Sequence, residues 1–138
     1  MTDQNDDEGS ILPLILGYAV LAIAVILVCV CATDLYIAQK RTDSLADAAA
    51  LAGADGFTLV AEDEGVRAEL TNAGVREQAA ALVGATDSDA TLVSAGTPDG
   101  VSARVTVETR WHPPLFSPFV PNGVRVESTA TTRTALRE

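Results

Sequence analysis

Few side chains in this chain are of the types that carry chemistry, and their spacing assembles no reactive centre. Cys29 and Cys31 are the only cysteines, and both lie inside an apolar run. Two residues apart on a helix, they point about 200° from one another, so they neither bridge each other nor share a metal within that helix. They read as small apolar residues, with an inter-chain disulfide or acylation near a bilayer surface as the functional alternative. His112 is the only histidine. Without a second histidine, or a cysteine outside the run, neither a zinc site nor a Cys–His pair can form. Glu62, Asp63 and Glu64 stand in a row before Gly65. Calcium requires six or more oxygens and a loop spacing that this run lacks, so these acids read as solvated turn charges. No phosphate-cradling glycine loop and no nucleophile elbow occur. No pair of acids sits in an apolar context that would perturb a pKa. The chain is expected to be no enzyme, with no cofactor and no metal.

The element that organises everything else is Ile11–Thr33, ILPLILGYAVLAIAVILVCVCAT, which holds no charged residue. An apolar run of about 20 residues is long enough to cross a ~30 Å hydrocarbon core as a helix, and a lone span must be helical to satisfy its backbone. A cleaved secretory signal would have a basic lead and a shorter apolar stretch. Here the lead, residues 1–10, is acidic and is expected to be a disordered tail, and the run is expected to be an uncleaved anchor. Pro13 falls in the first turn of a helix starting at Ile11, where a missing N–H is not needed.

Beyond Asp34 the helical pattern continues. No Gly or Pro interrupts it until Gly53, and Leu35, Ala38, Leu45, Ala49 and Ala52 recur on one face. One helix from Ile11 to about Ala52 is predicted, with residues 34–54 as its extramembrane continuation and Gly53 or Gly56 as its stop. Residues 57–138 form a separate small domain. From Phe57 the period changes to two: Phe57, Leu59 and Ala61, then Val66, Ala68 and Leu70, frame a hairpin with Gly65 at the turn. Thr71 or Asn72 caps a short helix that buries Val75, Ala79 and Leu82 and ends at Gly84. Three strands follow, Ala90–Ala95, Val101–Trp111 and Val124–Thr134, the first two joined by a turn at Thr97-Pro98-Asp99-Gly100. The fold class is α+β.

Net charge is −10. With no basic patch, nucleic acid is not an expected partner. Trp111, Phe116 and Phe119 cluster around a loop with four prolines, 112–123, in a chain with few other aromatics. Either this loop folds back and its rings close one end of the core, or it presents an apolar surface to a partner subunit or to lipid headgroups.

Gly9-Ser10, the apolar run, Asp34, Arg41 and then Ala46-Asp47-Ala48-Ala49-Ala50-Leu51-Ala52 resemble the N-terminal region of TadE/TadG-like proteins of tight-adherence (Flp) pilus assembly. The small size, the single Lys beside eight Arg and the short β-rich tail look most like actinobacterial members. The resemblance implies a single-pass protein of the cell envelope, a minor pilin or pseudopilin-like subunit with a pilin-like domain outside the cytoplasm. Its implied partners are other subunits of the pilus or secretion apparatus, and copies of itself through the long helix. In the pseudopilin branch a peptidase cuts after a glycine, with glutamate at the fifth mature position. Gly9 and Ser10 would be that site, but the fifth residue after Gly9 is Leu14, preceded by Pro13, which favours the uncleaved TadG-like branch. Lys40 and Arg41 follow the span and no base precedes it, so the positive-inside rule alone would place the domain in the cytoplasm; the resemblance implies the opposite side. The alternative function is a membrane-anchored binding module that uses loop 111–121 to hold a partner or envelope polymer.

Overall fold

A computed structural model describes residues 8–63, 65–87 and 89–133. Residues 1–7 of the expected acidic tail, Glu64 of the hairpin turn and Thr134 of the last strand lie outside the described residues. The order of elements is α1 (Glu8–Ala54), β1 (Thr58–Glu62), β2 (Gly65–Glu69), α2 (Asn72–Thr86), β3 (Thr91–Gly96), β4 (Ser102–Trp111), a 3-10 turn (Ser117–Phe119) and β5 (Val124–Arg133). The α+β class holds: a long apolar helix leads into a small domain of antiparallel strands.

α1 is one unbroken helix of 47 residues. Because it starts at Glu8, Pro13 stands inside it and not in its first turn. The Pro13 ring has no N–H to give the carbonyl of Gly9, a loss that membrane helices absorb by local adjustment. The apolar part of α1 is long enough to cross a membrane, and none of its most apolar window is buried within the protein.

Past the apolar run the same helix becomes a wall of the core. Leu45, Ala46, Ala49, Ala50 and Ala54 are buried, together with Thr42 and Gly53. This stripe is rotated from the predicted one. Leu35 is exposed and Ala38 and Ala52 are half-buried, so the polar Thr42, rather than the more apolar residues near it, faces inward. Against the stripe lies the sheet β3-β4-β5, with Val105, Val107 and Ala103 on β4, Ala95 on β3 and Val126 and Ala130 on β5. β4 is central and pairs in full register with β5, from Ser102↔Arg133 to Trp111↔Val124. β3 is the other neighbour, with a register shift between Leu92 and Ser94. Small side chains on α1 let the helix approach the sheet closely, so a thin layer of valines suffices to fill the gap.

α2 packs beside α1 through Val75, Ala79 and Val83. Thr71 caps it, its hydroxyl accepting from the Gly74 N–H at 3.1 Å. The helix runs two residues past Gly84, to Thr86, and the Asp87 N–H closes it on the Val83 carbonyl. The turn before β4 takes the expected form, with Gly100 at φ +76°. Asp99 fixes it by accepting from the N–H groups of Val101 (3.0 Å) and Ser102 (2.6 Å). Those two donors and the Ser102 hydroxyl hold its carboxyl below the usual range.

The hairpin β1–β2 forms on the predicted strands, in the register Leu59↔Ala68 and Ala61↔Val66. Only the base of its apolar face reaches the core, through the buried Leu70 and the partly buried Phe57; toward the turn, Leu59 is 65% and Val66 66% exposed. Alternation in sequence fixes which residues share a face, while burial of that face depends on where the hairpin is carried.

The joint between the two helices rests on a pair of glycines. A Cβ on Gly74 would sit 2.7 Å from the Gly56 carbonyl oxygen, and one on Gly56 would sit 2.9 Å from that of Gly74. On the same helix, a Cβ on Gly84 would meet nothing. Gly74→Ala is therefore expected to lower stability by about 1–3 kcal/mol through backbone displacement, whereas Gly84→Ala raises it by about 0.5–1 kcal/mol through helix propensity. Denaturant midpoints of the two variants in one detergent check this; equal signs would remove the packing account.

Candidate functional site

The half of the domain nearest the apolar run is fastened to α1 by polar groups rather than by core packing. Trp111, the last residue of β4, donates its indole Nε1–H to Asp34 Oδ2 at 2.6 Å. Asp34 is the first charged residue after the run. Two turns along, the Thr42 and Thr109 hydroxyls meet at 2.6 Å. Thr42 gives its own proton to the Ala38 carbonyl at 2.9 Å, so Thr109 is the donor between them. On β5, the Ser128 hydroxyl donates to Asp43 at 2.7 Å, and Gln39 donates to the same carboxylate oxygen at 2.9 Å. Ser128, then Gln39 and Lys40, hold the Asp43 carboxyl below its ordinary value. The stabilisation from the Asp43 contacts is fully present above the usual carboxylate pKa and is lost as the pH falls through the lowered one.

Beside the seam opens a cleft of about 570 Å³ between α1, the end of α2 and the end of β4. Asp34, Arg41, Thr42, Asp87, Trp111 and His112 are among its lining residues. No group of three or more His, Cys, Asp or Glu able to hold a metal occurs among the described residues, and both cysteines are free and stand on the apolar part of α1.

The candidate residues separate into four locations. Gly9 and Ser10 lie in the first turn of α1. Asp34 and Arg41 line the cleft together. The ADAAALA segment splits by face. Ala46, Ala49 and Ala50 are completely buried, Ala52 is half-buried, and Asp47, Ala48 and Leu51 face outward. In the Pro/aromatic loop, Trp111 turns inward to Asp34, whereas Phe116 and Phe119 stay outside at 42% and 82% exposure. The rings of Phe116 and Phe119 thus do not close the core; only the Trp111 indole is drawn in. Thr42, Thr109 and Ser128 were not foreseen. A threonine inside an otherwise apolar helical stripe is the one signal that points to them.

A helix that is apolar for half its length and then serves as the spine of a small α+β domain defines a single-pass membrane protein. Residues 9–56 match the family model of putative Flp pilus-assembly TadE/G-like proteins. The matched segment is α1 and the turn after it; the sheet lies beyond it. Neither a curated protein nor a solved structure matches the chain.

The Asp34–Trp111 bond joins residues far apart in sequence, so it should register as coupling. In a double-mutant cycle of Asp34→Asn and Trp111→Phe, the expected interaction energy is about 1.5–3 kcal/mol, the range for hydrogen bonds to a charged group. Additive effects on denaturant unfolding would show that the bond contributes nothing.

Proposed function

We propose that this chain is a non-enzymatic structural or assembly subunit, minor pilin or pseudopilin-like, of a Tad/Flp-type pilus or secretion apparatus. It sits in the cytoplasmic membrane with its α+β domain on the extracytoplasmic side. The observation that carries this reading is the coincidence of the family match with α1. The one segment that is TadE/G-like is also the segment that leaves its apolar half uncovered and carries the domain on the other half. A rigid helix of this kind transmits position from the bilayer to a folded head, which is what an assembly subunit needs and a hydrolase does not.

The outward face of α1 supports contacts with neighbouring subunits or further copies of the chain. Leu51 is 57% exposed, and Asp47 is exposed one turn before it. On this reading Asp47 meets a basic group of a neighbouring subunit. The rival reading, an anchored module that holds a partner or envelope polymer with loop 111–121, draws on the exposed Phe116 and Phe119. Those rings also admit a simpler use at the bilayer.

Purification of the tagged chain from its native membrane, with intact-mass analysis, tests the proposal. Residues 1–9 are expected to remain attached, as Pro13-Leu14 departs from the processed pattern, and other pilus-assembly subunits are expected to co-purify. Asp47→Ala should lower their recovery several-fold while leaving the fold intact. Loss of residues 1–9 would instead mark prepilin-type processing. Unchanged recovery would remove the role of Asp47, and a chain that retrieves no pilus component would overturn the assembly reading.

A further inference from the structure

The geometry points to a second membrane contact: the loop 112–123 seats its apolar side chains in the headgroup region of the same bilayer surface from which α1 emerges, on anionic phospholipid. This rests on the reading of Ile11–Thr33 as a span, and on nothing about which side the domain occupies.

The level of the loop follows from how β4 descends along α1. A Cβ on Gly53 would lie 3.4 Å from that of Ala103, Thr109 meets Thr42, and Trp111 meets Asp34. From Gly53 to Asp34 the helix rises roughly 28 Å, and from Ala103 to Trp111 the strand covers roughly 26 Å, so the two run antiparallel at matched levels. β4 therefore ends level with the first charged residue after the apolar run. The loop leaves the sheet there, at the level where hydrocarbon gives way to headgroups. Its most exposed large side chains are Leu115 (52%), Phe116 (42%) and Phe119 (82%).

Three properties suit that location. First, from Trp111 to Val124 there is no acid and no lysine or arginine. Second, the loop has fewer backbone donors to satisfy than its length implies. Four of its residues are prolines with no N–H, while Phe119 and Val120 donate to the Phe116 carbonyl and Gly123 to that of Val120. The Ser117 hydroxyl is likewise engaged, donating to the Pro113 carbonyl at 2.6 Å. Entry into the hydrated headgroup region thus has fewer N–H groups to satisfy than a proline-free loop of this length would present. Third, Arg110 and Arg125 face each other across β4 and β5 at the base of the loop. Like charges directly opposite are unfavourable in a sheet, and among the described residues only Arg125 of the two has an acidic partner within reach, Glu108 at 3.2 Å. In a chain of net charge −10, two facing arginines beneath an exposed aromatic loop match anionic headgroups above buried rings.

The test uses the full chain with Cys29→Ala and Cys31→Ala, reconstituted in nanodiscs of phosphatidylcholine and phosphatidylglycerol. An environment-sensitive fluorophore is placed at one of three new cysteines: Phe119→Cys in the loop, Leu21→Cys in the span, or Leu59→Cys on the hairpin beyond the far end of α1. All three replace exposed side chains. Quenchers are lipids carrying a nitroxide near the headgroup, and aqueous iodide. The expected result is a blue-shifted loop probe that loses emission to the lipid quencher and is shielded from iodide, with the hairpin probe behaving in the opposite way. A lipid-quenched span probe beside an iodide-quenched loop probe would overturn the loop contact alone and leave that surface to a protein partner. Lipid quenching of the hairpin probe as strongly as the loop probe would overturn it as well, as mere lying-down of the domain. An iodide-accessible span probe would overturn the span itself, and the loop contact with it.

Discussion

One helix has to satisfy two environments, and the rest of the molecule follows from how it does so. In its first half, every face of α1 is apolar and open. In its second half, a narrow stripe of alanines presses against a sheet while the remaining faces stay polar or exposed. No break separates the two halves, since Gly53 lies at the far end of the stripe and Pro13 near the start of the helix. The packing partners are correspondingly modest: alanines on the helix, and mainly valines and alanines on the strands. A core this thin is adequate for a small domain because close approach, rather than side-chain bulk, excludes water. The cost of that economy is sensitivity to added volume, concentrated where backbone meets backbone at Gly56 and Gly74.

Alanine packing alone would leave the sheet free to fray at the end facing the membrane, where the helix no longer buries apolar groups against it. The polar seam takes over there. Asp34, Thr42 and Asp43 on α1 engage Trp111, Thr109 and Ser128 on two different strands. These bonds are directional, so they fix register and azimuth as well as distance. Two kinds of adhesive along one helix give the domain a defined height and rotation relative to the span. A flexible linker would fix neither.

Much of this was legible in the sequence because period carries so much of it. An uncharged run set the anchor, a change from 3.6 to 2 at Phe57 set the class, and Pro98-Gly100 set a turn. What was not legible depends on contacts between distant segments. Leu59 and Val66 alternate as a core-facing hairpin would, yet no apolar surface is carried to them. The helix stripe reads as Leu35, Ala38, Leu45, Ala49 and Ala52 by apolarity, but the sheet selects a slightly rotated face and takes Thr42 inward because Thr109 waits opposite. Asp34 and Trp111 each stood out, one as the first charge past the run and one as the only tryptophan. Nothing local says that they touch. The site is thus partly legible by residue and illegible as a constellation.

The same rigidity bears on the conflict between charge and family in the orientation of the span. Lys40 and Arg41 are the only bases close to the apolar run, and Lys40 is engaged in the folded chain, 3.6 Å from Asp43 and 5.7 Å from the ring centroid of Tyr36. The positive-inside preference acts on loops next to the span and grows with the number of bases. Two bases seven and eight residues past Thr33 make only a weak bias. The loop geometry is indifferent to that choice. Because β4 returns along α1 to the level of Asp34, whichever surface the helix leaves is the surface the aromatic loop meets. A domain held at two points on one surface resists tilting as well as pulling, whereas a single span resists mainly the latter.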